Sequence, residues 1–379
     1  MIAPIAPSTP QTSLDQDLIA FAQELVATPS LPGEERAVSE RVAAKLRELG
    51  YRDVTLDEVG NVVGHFGDGP PRLMFNGHVD HVPPAGMEDP YGAQLVDGHL
   101  RGRGSMDMKA AVAAAAFAVA LLDVRLRGSY VFTADVREEV DGPEGIQALL
   151  AGGLRADCGV SGEATSLDVA LGHRGKVQLD ITVLGRSSHA ATPSAGTNAV
   201  YQAVPFLAAL EREAERLPSD PLLGRATLTV TGISSTPAGD VAVVPSGCTI
   251  RVDRRYVRDE GPESCRAEIE ALVERVTAEH GARATVDLVN VYPLMATDPE
   301  QPIVAAAVAA SEEATGRRPV LKTWEFGVNA TFMNAAGIPS VGLGPGEEHL
   351  AHTPDERVPI AEVLQACRAY ALLIERLCA

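Results

Sequence analysis

Apolar residues recur at helical spacing in the first part of the chain. Over residues 14–27, Leu18, Phe21, Ala22 and Leu25 fall on one side. Over 34–49, Val38, Val42, Leu46 and Leu49 do the same, and Gly50 follows at the stop position. Short apolar runs predict strands at 54–56, 62–65 and 73–76. The Ala-rich stretch 110–122 predicts a buried helix, followed by a strand at 130–134, a helix at 145–151 and a strand at 158–161. Helices alternating with short apolar strands predict an α/β sheet covered on both faces.

The pattern changes near Arg174. KVQLDITV, 176–183, alternates with a period of two, as a half-exposed antiparallel strand does. A helix at 197–216, alternating strands at 226–230 and 248–256, a helix at 262–280 and a strand at 284–291 follow. That order predicts a small α+β sandwich with one wet sheet face. After Pro293 the α/β character returns, with helices at 302–315, 330–336 and 360–377 and strands at 319–323 and 340–344. The expected layout is an α/β domain, 1–174 and 291–379, interrupted by an inserted α+β domain, 175–290.

Composition narrows the function. With 51 acidic and 32 basic residues, the net charge is −19, which argues against nucleic acid or an anionic membrane surface as partner. The longest apolar stretch, 110–122, is 13 residues, too short to span a bilayer. The five cysteines are odd in number and none forms a CxxC pair, so a disulfide framework or thiolate zinc site is not expected and a reducing cytoplasm fits. MIAPIAPSTPQTS, at the start, lacks the basic-then-apolar order of a signal peptide and reads as a floppy arm.

Polar, titratable residues follow several apolar strands. His78 and Asp80 lie in GHVDHVP, Asp107 in GRGSMDMK, Glu138 and Glu139 after YVFTADV, Glu163 in SGEAT, and His352 in EEHLAHTPDE. Singly, each has an ordinary reading: a solvated loop histidine for His78, a wet acidic loop for the glutamate pair, a helix N-cap for Asp107, turn chemistry for Glu163 with Thr165, a helix cap for His352. Together, two histidines and three carboxylates match the N/O ligand preference of zinc. In open α/β sheets, ligands collect beyond the carboxyl ends of the strands.

GHVDHVP, GRGSMDMKAA, REEVDGPEG, SGEAT and HTPDE, in that order and spacing, resemble the M20 family of di-zinc metallopeptidases and amidohydrolases. That family includes acetylornithine deacetylase, succinyl-diaminopimelate desuccinylase, aminoacylase and the glutamate carboxypeptidases. The resemblance runs from the first helix to the last. It implies a catalytic domain with a mixed central sheet and an inserted domain serving as lid and dimerisation unit. It implies two Zn²⁺, with Co²⁺ or Mn²⁺ as substitutes. His78 and Glu163 would hold one ion, Glu139 and His352 the other, and Asp107 would bridge them. Asp80 would fix the tautomer of His78. Glu138 would be the general base, taking a proton from a water whose pKa the metal lowers to about 7.

In the inserted domain, His189 matches a family histidine that reaches the partner subunit's active site and steadies the oxyanion. Arg255 aligns with a carboxylate-binding arginine, and Arg254 competes for that role. Asn198 matches a family asparagine near the start of a lid helix, where a capping role is an equal reading. Three departures stand out. SGEAT replaces the family's GEP or GDP. Asn329 takes a place near the substrate where many members carry Asp. His81 sits where Thr or Val is common; it would support the ligands from behind or lie exposed, with competition for metal as the alternative.

The resemblance implies hydrolysis of an amide bond in an N-acyl amino acid or a small peptide, by a homodimer. Dipeptidase or carboxypeptidase activity is the alternative within the family. A metal- and peptide-binding protein without turnover is the alternative outside it. A serine hydrolase lacks support, because Ser161 is followed two positions later by Glu163 and so forms no GxSxG elbow.

Overall fold

The structure is a computed structural model that describes residues 12–140, 144–239 and 241–379. Most of the expected arm lies outside the described residues, as do Asp141, Gly142 and Pro143 of REEVDGPEG. Thr12 and Ser13, expected in the arm, instead begin the first helix, Ser13–Val26. Thr12 accepts from the Asp15 amide at 3.1 Å, and Asp15 accepts from the Thr12 amide at 3.3 Å, a reciprocal cap.

The chain forms two compact units. The first comprises the described residues up to Gly172, with Thr297–Trp324 and Val328–Ala379. Its fold is mixed α/β. The central sheet runs in the order Arg52–Leu56, Val62–Gly67, Ser129–Asp135, Arg72–His78, Cys158–Ser161, Ser340–Gly342, Val169–His173. The middle four strands are mutually parallel. Every residue of Ser129–Asp135 is buried, which requires cover on both faces. The Ala-rich helix Ala110–Phe117 is buried all round. It approaches the sheet so closely that a Cβ on Gly77 would lie 3.0 Å from its Val112. The final helix, Ile360–Cys378, packs against it.

Some elements were not predicted from the pattern. Val169–His173 is a strand, and Gln94–Val96, His99–Arg101 and Arg357–Pro359 form a small antiparallel sheet. Three-residue strands are too short to show a period.

The second unit comprises His173–Ala296 and Glu325–Gly327. Its four strands are antiparallel, in the order Thr227–Thr236, Gly247–Tyr256, Gly175–Leu184, Arg283–Tyr292. Gly175–Leu184 alternates buried with half-exposed positions. The buried face, with Val177, Leu179, Ile181, Ile250 and Val252, packs with Phe206, Leu210 and Ile269 from the helices Ala199–Ala214 and Pro262–His280. The strand predicted at 226–230 continues to Thr236 through a bulge between Val230 and Gly232, which the shift in alternation had hidden.

Candidate metal centre

Four neighbouring parallel strands point the same way, so the loops leaving their carboxyl ends gather on one edge. His78 ends Arg72–His78, and Glu138 and Glu139 follow Ser129–Asp135. Glu163 follows Cys158–Ser161, and His352 comes on the longer loop after Ser340–Gly342. Asp107 is the exception to the strand-end expectation. It lies in the segment Ser105–Lys109, ahead of the Ala-rich helix, where its own backbone is non-helical at φ −118°, ψ 86°. That helix is N-capped at Lys109 and the final one at Pro359, so neither Asp107 nor His352 is the capping residue.

The carboxylate of Asp107 stands between the two imidazoles. Its Oδ1 lies 3.1 Å from His78 Nε2, and its Oδ2 lies 3.2 Å from His352 Nε2. Glu163 Oε1 is 3.6 Å from His78 Nε2, and Glu139 Oε2 is 3.1 Å from His352 Nε2. Ligand atoms around a tetrahedral zinc with bonds of about 2.0–2.1 Å are about 3.3 Å apart. The pair distances from each imidazole, 3.1–3.6 Å, lie near that value. Ligand atoms of His78, Asp107 and Glu139 also lie within 4.8 Å of one another, so Glu139 is close to both sides.

The charges call for such a cation. Burial raises Glu138 well above the usual carboxylate range; His78 opposes this, and the charges of Glu163, Glu139 and Asp107 add to it. Burial and Asp107 likewise raise Glu139 and push Glu163 up to about 8. Burial lowers His78, but hydrogen bonds to Asp107 and Asp80 and the charges of Glu138 and Glu163 outweigh it, leaving it well above 6.5. Hydrogen bonds to Asp107 and Glu139 lift His352 to about 10. Burial raises Asp107, yet the two imidazoles overcome this and hold it below its usual value. Protons thus stand in for positive charge in the metal-free centre.

Supporting contacts explain the placement. His78 Nδ1 donates to the Asp80 backbone carbonyl at 3.1 Å, with Asp80 Oδ1 at 3.4 Å. The ring is held by the Asp80 backbone oxygen, and Asp80 Oδ1, expected to accept from it, makes no hydrogen bond. Asp80 Oδ2 instead accepts from the Glu139 amide at 3.0 Å. Glu35 accepts from the Arg137 amide at 3.1 Å and so anchors the turn carrying the glutamate pair. In SGEAT, Thr165 Oγ1 accepts from the Gly344 amide at 3.1 Å. A Cβ on Gly344 would lie 2.0 Å from the Gly162 carbonyl oxygen and 2.4 Å from that of Glu163, so only glycine permits this approach. His352 adopts φ 60°, uncommon for a residue with a Cβ.

His81 is not placed to compete for metal. Its Nε2 accepts from the Ser30 amide at 3.0 Å and its Nδ1 donates to the Val82 carbonyl at 2.8 Å, which uses both nitrogens in a neutral ring. Burial, with Lys109 nearby, lowers it to about 4. Asn329 is 2% exposed and donates to Asp135 Oδ2 at 2.8 Å, an acceptor it shares with Asn76 at 3.1 Å. It belongs to the buried wall behind the centre rather than to a substrate-facing loop. Asp135 and the fully buried Lys109, which donates to the Thr28 carbonyl at 2.8 Å, were not singled out from the sequence. Charged residues inside otherwise apolar or glycine-rich motifs were the available signal.

In the second unit, Arg254 is fully buried and bound to Glu260 and Glu268, the latter at 3.0 Å. Arg255, on the other face of its strand, is half-exposed and paired with Asp253 at 2.7 Å. Asn198 caps the helix Ala199–Ala214, accepting from the Val200 amide at 2.9 Å. His189 is exposed, and its Nδ1 accepts from the Ala191 amide at 3.0 Å.

The profile of Peptidase family M20/M25/M40 matches residues 74–376. The chain belongs to this family. Succinyl-diaminopimelate desuccinylase of Caulobacter vibrioides NA1000 is 32% identical, over 96% of this chain and 97% of its own. The solved aminopeptidase PepT of Bacillus cereus superposes with TM-score 0.80 at 23% identity, covering 95% of this chain and 98% of that one. Bacillus subtilis YXEP, described as a dinuclear metal-binding peptidase of family M20, gives 0.74 at 16%, covering 96% and 99%. These two structural likenesses carry the fold. Membership makes the chain an enzyme hydrolysing amide bonds, with a metal-dependent family chemistry, and the alternative of a binding protein without turnover falls. Among the described residues, no helix is long and apolar enough to cross a membrane.

Metal binding requires neutral imidazoles. At pH 7 His352, lifted to about 10, carries a proton in the metal-free protein, and His78 is raised in the same direction. Zinc titration at pH 7 in buffers of different ionisation enthalpy will therefore show proton release, from His352 and from Glu163, which stands at about 8 without metal. Without metal, the His352 contribution to stability is fully present below about 6.5 and is lost as pH rises through about 10.

Proposed function

We propose that this enzyme hydrolyses the amide bond of an N-acyl amino acid or small peptide, with two Zn²⁺ ions and Glu138 as general base. Co²⁺ or Mn²⁺ would substitute. The observation that carries the reading is Asp107, whose two oxygens face two different imidazoles. His78 and Glu163 would hold one ion, Glu139 and His352 the other, and Asp107 would serve both. Bound there, the ions would supply polarisation of the scissile carbonyl and a water whose pKa is lowered to about 7.

The protein's own groups do the rest. Asp80 keeps His78 in one tautomer and fixes the Glu139 backbone. Glu138, buried among the ligands, removes a proton from the attacking water and returns it to the leaving amine. Its raised proton affinity comes from burial first. The bland alternative for Glu138 is a spare acid in a crowded shell. Glu138→Gln separates the two: turnover should fall about 10²–10⁴-fold while metal content stays unchanged. Wild-type turnover in a metal-loaded variant would remove Glu138 from the mechanism.

Substrate recognition rests on the second unit. Arg255 suits a substrate carboxylate better than Arg254, because Arg254 is buried and already neutralised. Releasing Asp253 frees its planar fork for two parallel hydrogen bonds. The desuccinylase relative favours an N-acyl substrate over a peptide. Five free thiols fit a cytoplasmic enzyme.

Assembly follows the same reasoning. Tyr201 and Val204 on the helix Ala199–Ala214 are 74% and 56% exposed, and Ile233 on the edge strand Thr227–Thr236 is 54% exposed. An apolar helix face beside an open strand edge suits pairing with a second copy. A homodimer through this unit lets His189 steady the oxyanion in its partner. Mixing inactive Glu138→Gln with inactive His189→Ala should restore part of the activity in heterodimers. No recovery in verified heterodimers would return His189 to a local role.

A further inference from the structure

Arg103 and Glu356 are both 1% exposed at the side chain, and their ion pair measures 2.5 Å. Burying two charges is seldom a net gain in stability, since the desolvation cost offsets the attraction. The remaining bonds of this pair show what else it does. Glu356 Oε1 accepts from the backbone amides of Met106 at 3.1 Å and Asp107 at 3.2 Å. Arg103 Nη2 donates to the carbonyls of Pro84 and Thr353, both at 3.2 Å. Three separated segments therefore meet on one guanidinium–carboxylate unit. One follows His78 and Asp80, one contains Asp107, and one begins next to His352.

From this geometry we infer that Arg103 and Glu356 are positioning residues that set Asp107 and His352 at the spacing the paired-metal centre needs. Neither touches the reacting atoms. The inference rests on the proposed centre and adds to it a device outside the ligand set. A planar guanidinium can serve Glu356 and two carbonyls at once; an ammonium cannot reach all three in that fork. Displacing the clamp would move the Asp107–His352–Glu139 side more than the His78–Glu163 side, because His78 and Glu163 stand on sheet strand ends.

The test is Co²⁺ titration of metal-free wild type, Arg103→Lys and the double variant Arg103→Leu/Glu356→Leu, read by visible absorption, with thermal melts of each metal-free protein. The double variant removes both charges, so neither is left buried alone. The expected result is a folded protein whose weaker Co²⁺ equivalent binds about ten- to a hundredfold less tightly, with a changed visible band. A pair that served stability alone would lower the melting temperature and leave affinity and band unchanged. That result, or a double variant that fails to fold, would overturn the inference. Should wild type take up one equivalent instead of two, the paired-metal reading fails, and the clamp is judged by the change in that single affinity.

Discussion

The parallel ladder of four strands is the constraint on which the rest depends. Ser129–Asp135, Arg72–His78, Cys158–Ser161 and Ser340–Gly342 are hydrogen-bonded side by side in one direction. Their carboxyl ends are neighbours because the backbone pairing makes them so. Acids and imidazoles from distant parts of the sequence are brought together; Asp107 attracts both imidazoles, but the acids repel one another. The ladder must in fact hold them against mutual repulsion, since burial and like charge raise Glu138, Glu139 and Glu163. The stability of the sheet supplies the force that keeps the acidic cluster assembled.

Long apolar periods made much of the fold legible. The helices Pro262–His280 and Pro302–Thr315 start and stop where proline and glycine signals lie. The alternation of Gly175–Leu184 marked a sheet with one dry face, and its burial pattern repeats that alternation. Three-residue strands gave no such signal, because two or three positions cannot define a period. Family membership was readable in the motifs, which preserve the residue types the chemistry needs.

Placement of individual side chains was less legible. His81 and His78 lie three positions apart in one motif, yet one spends both nitrogens on backbone groups and the other faces Asp107. Nothing local to GHVDHVP distinguishes them. The difference comes from Ser30, far away in the chain. Asn329 shows the same point, since its partner is Asp135 on the other side of the fold's sequence order. Arg254 and Arg255 are adjacent, and the period of two sends one into the core and one outward. There the alternation did contain the answer, once the dry face of the strand was known.

The central claim is that Asp107 lies between two cations. Diffraction from zinc-loaded crystals at the zinc absorption edge measures this directly. The account predicts two anomalous peaks about 3.5–4 Å apart, one on the His78 side of Asp107 and one on the His352 side. A single peak, or peaks remote from the Asp107 carboxylate, would contradict it.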